Sequence, residues 1–443
     1  MSLPLTLSQR RCNGYHAPMT IRDRAQNARQ AGRRLPAVSA SLRSMALHAV
    51  SKALKQHASD IFTANLTDME RSKQEGLATP LLKRLKFDED KLTRVCEGIE
   101  ALAKMPDPVA KVLEKRELDE GLIINRVSAP IGVIGMIFES RPDALVQMAT
   151  LCMRSSNAVI LKGGSEALET NRILAKIIAT ASTEAGLPEG WIQLAETRQD
   201  VAEMLTMDQE IDLLIPRGSN EFVARIMRES SIPVLGHADG ICHIFLDEDA
   251  DLTMAIPIIL DAKLQYPAAC NAVETLLVHE KSAQRLLPSL VSALQEQNCV
   301  VRGCAASQKV TTMERATDAD WDTEYLDAEI SIKIVSDLDE AMSHIHRHGS
   351  GHTEAIITNN QETANAFLSQ IDAADVFHNC STRFADGFVF GLGAEVGIST
   401  SKVHARGPVG VDGLMSYRWI LRGSGQIIQD YSTGVRKFTH KDL

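Results

Sequence analysis

The stretch from Ala129 to Gly164, APIGVIGMIFESRPDALVQMATLCMRSSNAVILKGG, decides the fold class of this protein. Two continuous apolar runs, APIGVIGMIFE and NAVILKG, flank DALVQMATLCMRSS, which has the composition of a helix. Continuous apolar strands that alternate with helices predict a parallel sheet covered on both faces. The fold class is therefore α/β, in a nucleotide-binding style.

The same alternation continues towards the C-terminus. WIQLAE, IDLLIPRG and ICHIFLD extend a first series of strands, and a second series runs from the helix DLTMAIPIILDAKL to the strand DVFHN. Because 443 residues exceed one ordinary core, we expect two α/β domains, with a boundary between residues 235 and 240. Residues 25–112 carry a helical period and are expected to pack on the first domain.

Segments outside the two series have separate interpretations. Residues 1–33, which start MSLPLTLSQRRCNGYHAPMT, are predicted to be a flexible extension, with a targeting peptide as the alternative. GLIINRV, within residues 118–128, and GQIIQDYS, within residues 423–443, are expected to pair as strands of an arm. Such an arm would expose its edges unless another subunit covered them, so we expect a homo-oligomer, whether dimer or tetramer.

Composition excludes several classes of function. The 47 basic and 57 acidic residues give a net charge of -10, which argues against a general nucleic-acid surface. No apolar run approaches the roughly 18 residues that suggest a membrane span. The eight cysteines include no CxxC pair, which indicates reduced thiols in a cytoplasmic enzyme and no metal site.

One thiol lies in a distinctive context, LQYPAACNAVETLLVHE, between a proline-broken loop and an apolar strand. Cys270 is either a small buried hydrophobic residue or a nucleophile. A thiolate that attacks a carbonyl creates an oxyanion, and the Asn271 amide beside it is a candidate donor.

A second candidate site lies at the carboxyl ends of the strands in the first series. Lys162 ends one strand and precedes Gly163, and Arg217, Gly218 and Ser219 follow another strand. Ligands bind at such strand ends in open parallel sheets. The alternative for Lys162 is a solvated loop lysine, and no GxGxxG fingerprint follows any strand.

Taken in order, these pieces resemble the aldehyde dehydrogenase superfamily. The resemblance rests on APIGVIGMIFESRPDA, SSNAVILKGGSEA, IDLLIPRGSNE, GHADGICHIFLDEDAD, CNAVETLLVH, GSGHTEAIIT, HNCSTRFADGFVFGLGAEVGIST and HARGPVGVDGL, and covers the chain from about Arg34 onward. It implies an NADP-binding domain (34–236 and 381–422) and a catalytic domain (237–380). Within the superfamily the sequence is most similar to the branch that reduces L-glutamate 5-phosphate to L-glutamate 5-semialdehyde in proline biosynthesis.

The resemblance implies a role for each matching residue. Cys270 matches the nucleophile, and Lys162 matches the lysine that binds the adenosine ribose and 2'-phosphate of NADPH. Glu324 matches the glutamate that holds the nicotinamide ribose. Arg217, Gly218 and Ser219 lie where the superfamily binds the cofactor pyrophosphate.

The sequence also departs from the superfamily. His237 in GHADG stands near the position of the glutamate that activates water in hydrolytic members, so an acyl-enzyme should not be hydrolysed efficiently. FESRP places Ser140 near the superfamily's oxyanion asparagine. An amino acid that carries an acyl phosphate needs cations and hydroxyls together. The residues expected to bind it are Glu139, Arg141, His237, Asn379, Ser381, Thr382 and Arg383, although structural salt bridges are an alternative for the two arginines and a plain loop position for His237.

Three other functions compete with a phosphorylating reductase. They are a nonphosphorylating aldehyde dehydrogenase, an acyl-CoA reductase of the same fold, and a catalytically silent nucleotide-binding or assembly module. The sequence leaves open whether the chain contacts glutamate 5-kinase, which would make its labile substrate.

Overall fold

The computed structural model describes residues 19–139, 141–237, 239–392 and 395–443. Its N-terminal part is helical and consists of α1 (Ile21–Gly32), α2 (Ala40–Gln56), α3 (Ala58–Gln74), α4 (Thr79–Leu85) and α5 (Glu89–Lys104). Helix α1 begins with a capping box between Thr20 and Asp23. Ala25, Ala28 and Ala31 are fully buried where α1 packs on the first sheet. The prediction of a flexible segment is therefore wrong for residues 21–32, because these small side chains let the helix pack closely; residues 1–18 lie outside the described residues.

The first parallel sheet follows. The chain runs through β1 (Val112–Asp119), β2 (Leu122–Pro130), β3 (Val133–Ile137), α6 (Pro142–Arg154), β4 (Ala158–Lys162), α7 (Leu168–Glu184), β5 (Ile192–Leu194), α8 (Arg198–Met204), β6 (Leu213–Pro216) and α9 (Asn220–Glu229). Strands β5, β4, β3 and β6 lie side by side in that order, all parallel. Every residue of β3 and β4 is buried, as continuous apolar strands require. The α/β prediction is confirmed.

The second parallel sheet holds the thiol. Its elements are β7 (Cys242–Leu246), α10 (Leu252–Leu264), β8 (Val273–His279), α11 (Glu280–Glu296), β9 (Val300–Gly303), β10 (Glu314–Arg315), β11 (Glu329–Val335), α12 (Leu338–His348), β12 (Thr353–Ile357), α13 (Gln361–Gln370) and β13 (Asp375–His378). The strand order is β10, β9, β11, β8, β7, β12, β13. ICHIFLD was predicted in the first series, but as β7 it pairs with β8 and β12, so it belongs to the second sheet.

The C-terminal part returns to the first core and then leaves it. It comprises β14 (Ile398–Ser399), β15 (Gly407–Pro408), β16 (Met415–Arg422), α14 (Ile428–Ser432) and β17 (Lys441–Asp442). Val396, Val409 and Leu414 are buried in the core of the first sheet. Strands β16, β2, β1 and β17 form a separate antiparallel sheet, the arm.

The arm differs from its prediction in one strand. GQIIQDYS contains the helix α14, and the strand that pairs with β2 is β16, which had been assigned to the NADP-binding domain. The reason is that Tyr417, Trp419 and Leu421 alternate along β16 with a period of two, the pattern of a strand. Among the described residues, no helix combines the length and the hydropathy needed to cross a membrane.

Candidate active site

Cys270 lies in the turn between α10 and β8. Two main-chain hydrogen bonds form this turn, from Ala269 to Tyr266 (3.1 Å) and from Ala272 to Ala269 (2.9 Å). Gly240 packs directly on it, because a Cβ at Gly240 would lie 2.1 Å from the Cys270 carbonyl oxygen. A side chain at position 240 would therefore displace the thiol. The GHADG segment and the Cys270 turn thus meet, as the sequence predicted for one site.

The charges around Cys270 are mixed. Burial raises the pKa of the Cys270 thiol to about 12, the carboxylates of Glu324 and Glu395 also raise it, and the guanidinium of Arg217 lowers it. Burial lowers the pKa of Arg217, as does the nearby cation of Arg141. Arg217 had been assigned to the cofactor pyrophosphate. Its main-chain N–H, bonded to Ile137 O at 2.7 Å, fixes it directly after β6, from where its charge also acts on the thiol.

Two histidines adjoin the thiol. One ring nitrogen of His237, one of His352 and the Cys270 Sγ all lie within 4.8 Å of one another. The two rings meet edge to face, with centroids 4.7 Å apart. Burial lowers the pKa of His237 and, more strongly, that of His352. Sequence reasoning placed His237 near the site but missed His352, whose only signal was its position directly before the strand TEAII.

Asn271 does not have the environment of an oxyanion donor. Its side chain is 4% exposed, and its Nδ2 donates to the Ala385 carbonyl at 2.8 Å. Among the residues that the structure describes, none binds Oδ1, which can only accept a hydrogen bond. The geometry therefore assigns Asn271 to anchoring the segment that contains Ala385, which corrects the sequence-based expectation.

The segment 379–383 is mostly structural. Asn379 has φ +57° and binds both main-chain groups of Thr358, accepting from its N–H at 3.0 Å and donating to its oxygen at 2.9 Å. Ser381 and Thr382 are buried, and the Ser381 hydroxyl accepts from the Arg383 N–H at 3.2 Å. These three side chains are turned inward, contrary to the prediction that they bind substrate.

Arg383 and Arg141 remain available to a ligand. Arg383 Nε donates to Gln265 Oε1 at 3.0 Å, and its guanidinium lies 6.0 Å from the centre of the Tyr266 ring, just before the Cys270 turn. The Arg141 side chain is half exposed and lies 3.5 Å from Asp143. Ser140, predicted near the oxyanion position, lies outside the described residues.

The second cluster forms where β4 and β6 end. Lys162 is buried, and its Nζ donates to the Gly163 carbonyl at 2.6 Å. A Cβ at Gly163 would lie 2.1 Å from Asn171 Nδ2, and one at Gly218 would lie 3.0 Å from the Glu139 carboxyl carbon. The Glu139 carboxylate therefore lies close to Gly218, and burial raises its pKa while the positive charge of Lys162 lowers it.

Glu324 connects the two clusters. Its Oε2 accepts from Asn220 Nδ2 at 2.5 Å, and the same amide donates to Asp239 at 2.9 Å. Burial raises the pKa of Glu324. Ser219, the N-cap of α9, makes no side-chain capping bond. Asn220 was missed because a polar residue in the first turn of a helix is unremarkable in a sequence.

The sequence model of the aldehyde dehydrogenase family matches residues 15–331 of this chain. The chain belongs to the aldehyde dehydrogenase family.

Relatives named gamma-glutamyl phosphate reductase are similar over nearly the whole length. The protein from Acetivibrio thermocellus is 56% identical over 425 residues, covering 96% of this chain and 99% of its own. The one from Pelotomaculum thermopropionicum is 55% identical over 425 residues, covering 96% and 98%. The solved gamma-glutamyl phosphate reductase of Thermotoga maritima has 38% identity and a TM-score of 0.91, covering 92% of this chain and all of its own. The resemblance stated from the sequence is confirmed.

More distant structures share the fold alone. An acetylating aldehyde dehydrogenase from Geobacillus thermoglucosidasius has a TM-score of 0.63 at 16% identity, covering 92% of this chain and 97% of its own. Family membership implies a nicotinamide cofactor. The residues at the ends of β4 and β6 fit such a group, because a buried lysine, Lys162, lies there together with a helix N-terminus at which Ser219 makes no side-chain capping bond.

Proposed function

We propose that this protein reduces L-glutamate 5-phosphate to L-glutamate 5-semialdehyde and phosphate with NADPH, in proline biosynthesis. The observation that carries the proposal is the 56% identity, over 425 residues, to a protein named gamma-glutamyl phosphate reductase. The site geometry supports the chemistry, since the guanidinium of Arg217 acts on the Cys270 thiol and Arg141 in turn acts on Arg217.

Cys270 is the nucleophile. Its thiolate attacks the acyl carbon, the bond from that carbon to the phosphate oxygen breaks, and phosphate leaves with the bonding electrons. The product is a thioester on Cys270. Burial disfavours the thiolate, so the guanidinium of Arg217 beside it is needed to stabilise that charge.

Different arginines bind the two anionic ends of the substrate. Arg141 lies close enough to Arg217 to lower its pKa. Together the two guanidinium groups form a cationic pair that can bind the phosphoryl group. Arg383, positioned by Gln265 and Tyr266, is the candidate for the α-carboxylate. Planar guanidinium groups bind both anions through paired N–H donors.

The cofactor cluster suits NADPH. Two cations, Lys162 and Arg198, interact here: burial lowers the pKa of Lys162 most, the carboxylate of Glu166 raises it, Arg198 lowers it further, and Asp200 and Glu139 raise it. Two neighbouring cations favour the 2'-phosphate that distinguishes NADPH from NADH. The N-terminus of α9 at Ser219 would hold the pyrophosphate and Glu324 the ribose hydroxyls. Bound NADPH supplies the hydride that converts the thioester to the aldehyde and releases the thiolate.

The choice between phosphate and water as acyl acceptor depends on the GHADG segment. Where hydrolytic members carry a glutamate, this chain has His237, whose Nδ1 donates to the Ile398 carbonyl at 2.8 Å. The two carboxylates near Cys270 are engaged, Glu324 with Asn220 and Glu395 with the Gly387 N–H at 2.8 Å. This supports a thioester that persists until hydride arrives.

The arm supports a homo-oligomer. Tyr417, Trp419 and Leu421 on β16 are 54%, 49% and 54% exposed. Together with the exposed Val112 and Leu113 of β1 they give the arm an apolar surface larger than single exposed residues explain. A second copy of the chain is the partner that we propose for it.

The reaction is best tested in reverse, because an acyl phosphate is labile. Glutamate 5-semialdehyde, NADP and phosphate are mixed with the protein, and NADPH is followed by its absorbance. Phosphate-dependent formation of NADPH that is lost in Cys270→Ala supports the proposal. Equal rates with and without phosphate would instead make water the acceptor and a hydrolytic dehydrogenase the better assignment.

A further inference from the structure

The cluster of Cys270, His237 and His352 has the composition of a transition-metal site. A thiolate and two imidazoles are ligands that Zn²⁺ prefers, and their candidate atoms already lie within 4.8 Å of one another. Bond lengths of about 2.0–2.3 Å place tetrahedral ligand atoms roughly 3.3–3.8 Å apart. For the three ligand atoms to reach one ion, they must therefore move by about 1 Å. A cysteine sulfur moves that far when the side chain turns about its Cα–Cβ bond.

His237 is oriented as a metal ligand would be. Its Nδ1 lies 2.8 Å from the Ile398 carbonyl oxygen. A carbonyl can only accept, so Nδ1 carries the hydrogen and the lone pair of the neutral ring is on Nε2. Histidines that bind metals usually donate their other N–H to a carbonyl or carboxylate in this way.

His352 supplies the independent observation. Its side chain is fully buried, and Nδ1 lies 2.8 Å from Thr353 Oγ1 and 3.9 Å from Cys242 Sγ. Within the part of the chain that the structure describes, Nε2 has no hydrogen-bond partner. A buried ring nitrogen without a partner is destabilising unless a water or an ion satisfies it. The His237 ring packs edge to face against the His352 ring, and one nitrogen of each ring lies within 4.8 Å of the Cys270 sulfur.

The surrounding charges admit a cation. The groups that influence the Cys270 thiol most are the carboxylates of Glu324 and Glu395 and the guanidinium of Arg217. Two carboxylates and one guanidinium leave these surroundings with an excess of negative charge. A buried divalent cation is stabilised by such an excess.

We propose that Cys270, His237 and His352 bind one Zn²⁺ ion per chain, with the fourth position open to water, and that this ion reversibly silences the thiol. A sulfur that donates its lone pair to zinc is no longer free to attack an acyl carbon. The predicted inhibition rests on the proposed function, whereas the binding site does not.

Binding is measured on the whole protein with Zn²⁺ alone, in competition with a chromophoric chelator. We expect one ion per chain and at least about a tenfold loss of affinity in Cys270→Ala and in His237→Gln, since even outer groups of metal sites contribute about that much. His352→Gln should lower the affinity for Zn²⁺ by a similar factor, provided that the variant folds. His237 is more exposed, so His237→Gln tests the site even if His352→Gln does not fold. His346→Gln, on the surface of α12, and Cys304→Ala are controls that should leave the affinity unchanged.

Two further readouts identify the ligands. Co²⁺ in place of Zn²⁺ should give a sulfur-to-metal charge-transfer band that Cys270→Ala abolishes. Zn²⁺ should also slow alkylation of Cys270 by iodoacetamide, and a chelator should restore it. Unchanged affinity in both Cys270→Ala and His237→Gln would overturn the proposal. Tight binding in a protein without phosphate-dependent turnover would instead refute the proposed function and leave the metal site intact.

Discussion

The ion pair of Lys263 and Glu274 lies directly behind the active site and gives the sharpest stability prediction. Both side chains are fully buried, and Lys263 Nζ lies 2.6 Å from Glu274 Oε2. Glu274 lies on β8, four residues after Cys270, and Lys263 Nζ lies 5.8 Å from the centre of the Tyr325 ring. The pair therefore braces both the nucleophile turn and the segment that carries Glu324.

Replacing one partner leaves the other charge buried. Lys263→Met should cost about 3–5 kcal/mol of unfolding free energy, whereas Lys263→Met with Glu274→Leu should recover most of that loss. The KM for NADPH should rise in the single variant, because Glu324 next to Tyr325 loses its support. Lys281→Met breaks an exposed pair with Glu248 at 2.8 Å and serves as the matched control, with little or no change expected.

The loss of unfolding free energy in Lys263→Met should increase as the pH rises. Burial raises the pKa of Glu274 to about 7, and Lys263 lowers it, so removing Lys263 raises it further. A carboxyl group whose folded pKa is above its unfolded value stabilises the protein at low pH and loses that contribution as pH rises through the folded pKa. The deficit of Lys263→Met should thus grow between pH 6 and 8, by no more than about 1.4 kcal/mol per pH unit.

Equilibrium urea unfolding of the four proteins at both pH values measures these differences. A deficit below about 1 kcal/mol for Lys263→Met, or a double variant less stable than the single one, would refute the reasoning. A deficit that shrinks as pH rises would show that Glu274 is not the group left unpaired.

Three other predictions follow from the site and the arm. Arg217→Met should lower kcat by about 10²–10³, because the negative charge at the Cys270 thiolate loses its counter-charge. Arg225→Met, on the exposed face of α9, should leave kcat unchanged; the pre-steady-state rate of Cys270 acylation measures the difference. Lys162→Ala should raise the KM for NADPH by about 10- to 100-fold and that for NADH much less; an equal effect on both cofactors would exclude a 2'-phosphate contact. Trp419→Arg should reduce the molar mass found by light scattering, and Leu368→Arg, an exposed residue of α13, should leave it unchanged.

The strand pattern of the two sheets could be predicted because buried parallel strands leave a strong local signal. β3 and β4 read as continuous apolar runs, and each lies within its predicted segment. Two expectations for β7 disagreed: ICHIFLD continued the first series of strands, whereas the boundary at residues 235–240 placed it in the second domain, with whose sheet it pairs. The pattern alone does not decide between them, since a sequence gives the order of strands along the chain but not which neighbours they pair with. Helix α14 was mistaken for a strand because five residues are too few to distinguish the two periods.

The nucleophile loop was predictable and its surroundings were not. Cys270 stood out through its context, and its contact with Gly240 confirms that GHADG reaches the same site. Asn271 and Asn379 bind main-chain oxygens, which the sequence did not predict. A polar residue near a motif points to the ligand or to the main chain depending on backbone geometry that composition does not encode. His352 and Glu395 were missed for the converse reason, since their proximity to Cys270 arises only when distant segments fold together.

The most direct test of the central claim is a burst experiment on the covalent intermediate. The protein is mixed with glutamate 5-semialdehyde and NADP without phosphate, and NADPH is counted while the protein is quenched for mass spectrometry. We expect one NADPH per active site, a γ-glutamyl adduct on Cys270, and steady turnover once phosphate is added. Steady NADPH formation without phosphate, or a burst that persists in Cys270→Ala, would contradict it.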